Sequence, residues 1–174
     1  MTEELRLPGA VLRRWRMDDA AALVRHADNP NIARNLRDLF PSPYAHADAR
    51  AFLGRSVEES PVTNFAIEVD GEAAGGIGVH LDADVYRRDA EVGYWLGEAY
   101  WGRGIATDAV RAVTAYAFER FDLVRIHAEV FARNVASARV LEKAGFALEG
   151  RLRARVTKEG ETLDALLYAL VRDA

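Results

Sequence analysis

Gly102-Arg103-Gly104, two glycines around an arginine, stand where a strand-like run gives way to a helix-like one, within Tyr100-Trp101-Gly102-Arg103-Gly104-Ile105-Ala106-Thr107. Glycine lets the backbone come close to a ligand. A helix N-terminus adds N–H groups without intrahelical acceptors and a partial positive charge. With the Arg103 side chain beside them, these features suit the binding of a phosphate or pyrophosphate on a cofactor. The same glycines also serve a plain strand-to-helix turn, and alone they leave both readings open. A P-loop is set aside, because no Lys-Ser/Thr pair follows Gly104. A dinucleotide fingerprint is demoted: Thr107 stands where a third Gly or Ala belongs, and no alternating βαβ order precedes it.

The elements that must position this turn are legible on both sides. Glu91-Val92-Gly93-Tyr94-Trp95-Leu96 is aromatic and β-branched enough for a strand. Ala109, Val110, Val113, Ala117 and Phe118 recur at helical spacing to about Arg120. Upstream, Val11 to Arg16 predicts a first strand whose arginines belong to a solvated edge. Asp18 or Asp19 caps a helix through Ala27, and a second short helix spans Ile32 to Leu39. Phe40-Pro41-Ser42-Pro43-Tyr44 is a turn-rich loop whose two aromatics, Phe40 and Tyr44, read as exposed candidates for lining an acceptor site. Ala47 to Glu59 predicts a helix. Asn64–Val69 and Ala73–Leu81 predict a hairpin through Asp70-Gly71, with Gly75, Gly76 and Gly78 weakening or bulging its second arm. Past the central helix, Val124–Phe131 is a strand able to pair in parallel with the Glu91 strand. Asn134 caps a short helix stopped by Gly145, and a last hairpin joins 146–155 to 163–171.

Composition bounds the function. The 174 residues, half of them hydrophobic, suit one folded domain spanning 1–174. There is no cysteine, hence no thiolate nucleophile or zinc-thiolate site. His26, His46, His80 and His127 are scattered without metal-ligand spacing, and no metal is expected. A net charge of −4 weighs against general nucleic-acid binding. No run of about eighteen apolar residues occurs, and no signal-peptide pattern opens the chain. A cytoplasmic protein with no membrane partner is expected.

The Glu91 strand, Trp101-Gly-Arg-Gly-Ile-Ala-Thr107 and Asn134-Val-Ala-Ser137-Ala-Arg-Val-Leu-Glu-Lys-Ala-Gly-Phe-Ala-Leu-Glu-Gly150 together resemble the GNAT N-acetyltransferase superfamily. The branch they resemble is that of the RimJ/RimL-like ribosomal-protein N-terminal acetyltransferases, over nearly the whole chain. The resemblance implies an α/β, α+β-like fold with a central, mostly antiparallel, splayed sheet of about seven strands flanked by helices.

It also implies an enzyme that moves the acetyl group of acetyl-CoA directly to a primary amine, either a protein N-terminus or a small molecule, without a metal. By resemblance, amides from Arg103 through Gly104, Ile105, Ala106 and Thr107 hold the pyrophosphate, and the Trp95-Leu96 backbone pairs with the pantetheine arm. Asn134 contacts that arm, and Arg139 and Lys143 lie nearer the phosphates. Glu91 occupies a general-base position, with a solvated strand-end carboxylate as the alternative. The superfamily's general-acid tyrosine is replaced by Leu141, which leaves Ser137 as the donor to the thiolate; a hydrogen bond near the helix start is its other role. Trp101 stands where the family usually carries Arg or Gln. A homodimer is a family-level expectation, and an acyl-CoA-binding module without turnover is the alternative function.

Overall fold

The computed structural model describes residues 3–172. Among the described residues, eight strands and five α-helices follow in chain order. They are β1 (Leu5–Leu7), β2 (Ala10–Arg13), α1 (Ala20–Ala27), α2 (Pro30–Ala33), α3 (His46–Ser56), β3 (Asn64–Val69), β4 (Glu72–Leu81), β5 (Ala90–Leu96), α4 (Ile105–Arg120), β6 (Arg125–Phe131), α5 (Val135–Lys143), β7 (Ala147–Lys158) and β8 (Glu161–Val171). They build an open mixed sheet in the order β1-β2-β3-β4-β5-β6-β8-β7. Eight strands rather than seven result from the hairpin β1–β2, which Gly9 closes at φ +76° after Pro8.

Turn chemistry explains the other reversals. Asp70 and Gly71 both have positive φ, 51° and 87°, as a two-residue turn matched to strand twist requires. Glu159 and Gly160, at 53° and 79°, repeat that solution between β7 and β8. The long crossover through α4 permits the parallel pair of β5 and β6, whose register is Glu91↔His127. The β2–β3, β3–β4, β6–β8 and β7–β8 pairs are antiparallel.

The chain divides into two compact units. The first is the chain up to Gly78 together with Tyr94–Ala109. Its core gathers Trp15, Leu23, Ala27, Tyr44, Ala49, Leu53, Ala66 and Ala73, with Phe40, Phe52 and Trp95 packed against them. Leu23 and Leu53 are fully buried, worth about 2 kcal/mol each. Of the solvated edge expected at Arg13-Arg14-Trp15-Arg16, Arg16 is exposed and Arg14 half-buried, but Arg13 and Trp15 are not solvated. β2 lies between β1 and β3, Trp15 is buried against the edge of Phe52, and the Arg13 guanidinium is buried with Asp19 and Glu68. Asp19 makes no side-chain cap to α1; its carboxylate is taken up by Arg13 and the Arg16 N–H.

β4 runs unbroken from Glu72 to Leu81 and carries the expected bulge: opposite Ile67 and Glu68 of β3 the register passes over Ala74, next to Gly75. A Cβ at Gly75 would lie 2.4 Å from the Trp95 carbonyl oxygen. One at Gly76 would lie 3.0 Å from the Trp95 ring and 3.1 Å from Trp15. Gly75 makes room for the backbone of β5, and Gly76 for two indoles.

The second unit comprises Val79–Gly93 and the chain from Val110 onward. It buries Val110, Val113 and Ala117 of α4, Ile126, Ala128 and Val130 of β6, Leu141 of α5 and Ala165, Tyr168 and Ala169 of β8. The Asn134 side chain caps α5 by accepting from the Ser137 N–H at 3.2 Å, and Gly145 ends it at φ +97°. Among the described residues no helix is long and apolar enough to cross a membrane.

Candidate active site

In the first unit, β5 ends at Leu96 and the Gly97 N–H donates to the Ala74 carbonyl at 2.7 Å. One 3-10 turn, Glu98–Tyr100, then leads to Trp101, whose indole N–H donates to the Leu96 carbonyl at 2.7 Å. Trp101 therefore latches the turn, a role the sequence did not reveal. Gly102 and Gly104 both adopt left-handed φ, +75° and +79°, which side chains rarely accept. An added Cβ at either would meet no protein atom within 4 Å, so backbone shape and open space, not packing, require glycine here.

α4 starts at Ile105, and its first intrahelical bond runs from the Asp108 N–H to the Gly104 carbonyl at 3.1 Å. The amides before Asp108 lie at the start of the helix, where N–H groups lack intrahelical acceptors. Ile105 and Thr107 turn their side chains into the protein, and Arg103 and Gly104 are exposed. The Arg103 guanidinium lies over the Tyr100 ring, 5.4 Å from its centroid. The Tyr100 hydroxyl donates to Glu72 at 3.3 Å; burial first, then the Glu72 charge, pushes that phenol up. Glu72 also receives His26 at 2.9 Å and Arg25 at 2.6 Å, and the His26 hydrogen bond foremost holds its carboxyl below the usual range.

The acceptor candidates of this unit do come together. Phe40 is half-buried, its ring 5.1 Å from Tyr44 and 5.6 Å from Trp95. Tyr44 is not the exposed residue expected; it is buried, and burial pushes its phenol up to about 12. Phe40 and Trp95 are left as the more accessible members of this aromatic group.

In the second unit, Glu91 is half-buried beside His127. His127 Nδ1 is 3.0 Å from Asp89, whose other oxygen accepts from Arg125 at 3.0 Å. Arg125 then grips Glu149 with two bonds of 2.7 and 2.6 Å, which holds the Glu149 carboxyl low. Arg155 pairs with Glu129 at 3.1 Å, and the Glu91 charge adds to the upward shift of its guanidinium. Asp82, Asp89 and His127 bring ligand-type atoms within 4.8 Å of one another, although the Asp89 oxygens already accept from the Ala90 N–H and Arg125 and meet His127. Sequence spacing of the histidines alone does not reveal that cluster.

Asn134 and Ser137 are half-buried at the head of α5 and joined by the capping bond. Arg139 and Lys143 are exposed one helical turn apart, so they share a face. Arg111 of α4 donates to the Lys143 carbonyl, which ties the end of α5 to α4. Leu141 is fully buried, so its position offers no side chain to a proton transfer; Ser137, one turn earlier, is the hydroxyl of that helix.

A family profile described as "Acetyltransferase (GNAT) domain" matches residues 10–147. The putative ribosomal N-acetyltransferase YdaF of Bacillus subtilis is 36% identical over 103 residues, 59% of this chain and 56% of its own length. The spermidine N(1)-acetyltransferase of Escherichia coli is 29% identical over 123 residues, 70% of this chain and 66% of its own. The chain spans 45% to 56% of the length of three Bacillus subtilis relatives it matches. Among solved structures, Mycobacterium smegmatis RimJ in complex with CoA-disulfide superposes with a TM-score of 0.82 at 31% identity, covering 98% of this chain and 86% of that one.

Proposed function

We propose, from the premise that the chain belongs to the GNAT acetyltransferase family, that it transfers the acetyl group of acetyl-CoA directly to a primary amine. The observation that carries this reading is the glycine turn. Two left-handed glycines, with open space above both, deliver the chain into the N-terminus of a 16-residue helix. That is the shape a pyrophosphate needs.

In this reading the amides of Arg103, Gly104, Ile105, Ala106 and Thr107 hold the pyrophosphate, with Arg139 and Lys143 supplying further positive charge. The backbone of Trp95 and Leu96 and the side chain of Asn134 orient the pantetheine arm. Acetyl-CoA supplies an activated acyl carbon on a thiolate leaving group. Glu91 takes the proton from the acceptor's ammonium, directly or through water. An N–H of the Trp95-Leu96 region donates to the oxygen on which charge develops, and the Ser137 hydroxyl protonates the departing thiolate. No covalent acyl-enzyme is part of this scheme. Phe40 and Trp95 line the acceptor side, with Tyr44 supporting them from the core.

The acceptor class is a protein N-terminus or a small amine. The relatives support both arms, since one is named a putative ribosomal N-acetyltransferase and another a spermidine acetyltransferase. The burial of Leu141, where relatives of this superfamily carry a general acid, favours one rival: a CoA-binding module without turnover. A single cytoplasmic domain acting as a homodimer completes the proposal.

The test is consumption of acetyl-CoA with alanine- or serine-ended peptides, polyamines and aminoglycosides as acceptors. Turnover on the peptides alone assigns the N-terminal arm, and turnover on the polyamines alone assigns the small-amine arm. Binding of CoA with no turnover on any amine replaces the transferase by the rival.

A further inference from the structure

Arg103 is the cation nearest the glycine turn in sequence, and the way it is held differs from that of the ion-paired arginines of this chain. Arg13, Arg25, Arg88, Arg125, Arg133, Arg151 and Arg155 each pair with a carboxylate. Arg103 instead lies over an aromatic face, that of Tyr100, at 5.4 Å. A carboxylate partner would neutralise the guanidinium and would have to be displaced before an anion could use it. An aromatic face orients the group and leaves its charge and its five N–H donors for the anion.

The ring itself is fixed from two sides. Its hydroxyl donates to Glu72 at 3.3 Å, and its face meets the edge of His26, with centroids 5.5 Å apart at 61°. Glu72 opens β4 and is in turn held by Arg25 at 2.6 Å and His26 at 2.9 Å, both from the last turn of α1. His26 presses close enough on the loop that a Cβ at Gly97 would lie 2.9 Å from its Nδ1. Two separate elements, α1 and β4, therefore converge on one phenol ring, and the ring carries one cation.

We infer that Tyr100 is a positioning residue for CoA binding: its ring holds the Arg103 guanidinium beside the anion-binding turn, and Glu72 with Arg25 and His26 holds the ring. The inference rests on the acetyl-CoA reading above and assigns how affinity for the phosphates is set within it. Tyr100 touches no reacting atom. Its effect on CoA passes through Arg103, and that makes the two residues non-additive.

The experiment is calorimetric titration of CoA into the wild-type protein and into Arg103→Ala, Tyr100→Leu, Tyr100→Phe and the Tyr100→Leu/Arg103→Ala double variant. Thermal unfolding of each variant verifies that it folds. Arg103→Ala is expected to weaken CoA about tenfold, the scale of a lost charge-assisted contact. Tyr100→Leu should cost about threefold to fivefold. The double variant should bind no worse than Arg103→Ala alone, within about twofold, because the ring has nothing left to hold. Tyr100→Phe keeps the aromatic face and should recover most of the affinity lost in Tyr100→Leu, a rescue that a general structural role does not produce. Multiplicative losses in the double variant, or wild-type affinity in Tyr100→Leu, overturn the inference while CoA binding by the wild type stands. Failure of the folded wild type to bind millimolar CoA overturns the acetyl-CoA reading and the inference with it.

Discussion

Arg13 and Asp19 form a buried two-pronged ion pair, with Nη1 to Oδ2 at 2.9 Å and Nη2 to Oδ1 at 2.8 Å and both side chains less than a tenth exposed. Burial alone would push the guanidinium down, but hydrogen bonds to Asp19 and Glu68 outweigh it and hold Arg13 above its usual range. Asp19 also accepts the Arg16 N–H at 2.8 Å, so one carboxylate fixes the end of β2 and the approach to α1. Asp19→Ala leaves a buried cation with Glu68 as its remaining carboxylate. Urea unfolding should show a loss of about 3 kcal/mol, within the range for breaking a buried pair.

Gly104→Ala tests the anion turn. At φ +79° with no protein atom within 4 Å of the new methyl group, the substitution strains the backbone without a clash. A stability loss of about 1–2 kcal/mol is expected from the left-handed penalty. The stabilisation of the wild type by CoA, read as the shift in unfolding midpoint, should shrink or vanish, because the methyl group enters the space given to the pyrophosphate.

Glu91→Gln tests the base. Loss of a general base should lower kcat by about a hundredfold or more, with the KM for acetyl-CoA much less affected. The deficit should narrow as pH rises toward about 10, where an alkylammonium acceptor loses its proton unaided. A pH-independent ratio between wild type and variant would assign Glu91 a positioning role instead.

Tyr44 gives an alkaline signature. Its phenol is pushed up to about 12 by burial, so the folded state favours the protonated ring. The stability this contributes is fully present below the ordinary tyrosine value of 10.0 and is lost as pH rises through about 12. Of the six tyrosines, Tyr44 should appear in absorbance titration as a late step near pH 12 that Tyr44→Phe removes.

What was legible in the chain was local. Gly102 and Gly104, the Asn134 cap, the Gly145 stop and the Asp70-Gly71 turn are each dictated by backbone geometry that few residues allow, and each is found where the residues place it. The order of strands around the α4 crossover followed from the same signals. What the sequence hid was pairing between distant positions. Arg13 looked like a solvated residue because Glu68, one of its two carboxylate partners, is 55 positions away. Tyr44 looked exposed because two prolines mark its loop, while the ring belongs to a core shared with Trp15, Leu23, Leu53, Ala66 and Ala73. Glu72 gave no sign of its contacts with His26 and Tyr100, 46 and 28 positions off. The short hairpin β1–β2 was missed because three residues, Leu5–Leu7, are too few for alternation to register.

The two tryptophan rings over Gly76 carry a consequence for descent. With Trp95 at 3.0 Å and Trp15 at 3.1 Å from the point where a side chain would begin, position 76 cannot gain a methyl group while both indoles keep their places. Three positions far apart in the chain therefore form one unit of inheritance. Across homologous chains, glycine at the place of 76 should accompany large rings at the places of 15 and 95, and a larger residue there should be matched by a smaller one opposite. The volume these three residues share is the quantity that drift must leave constant.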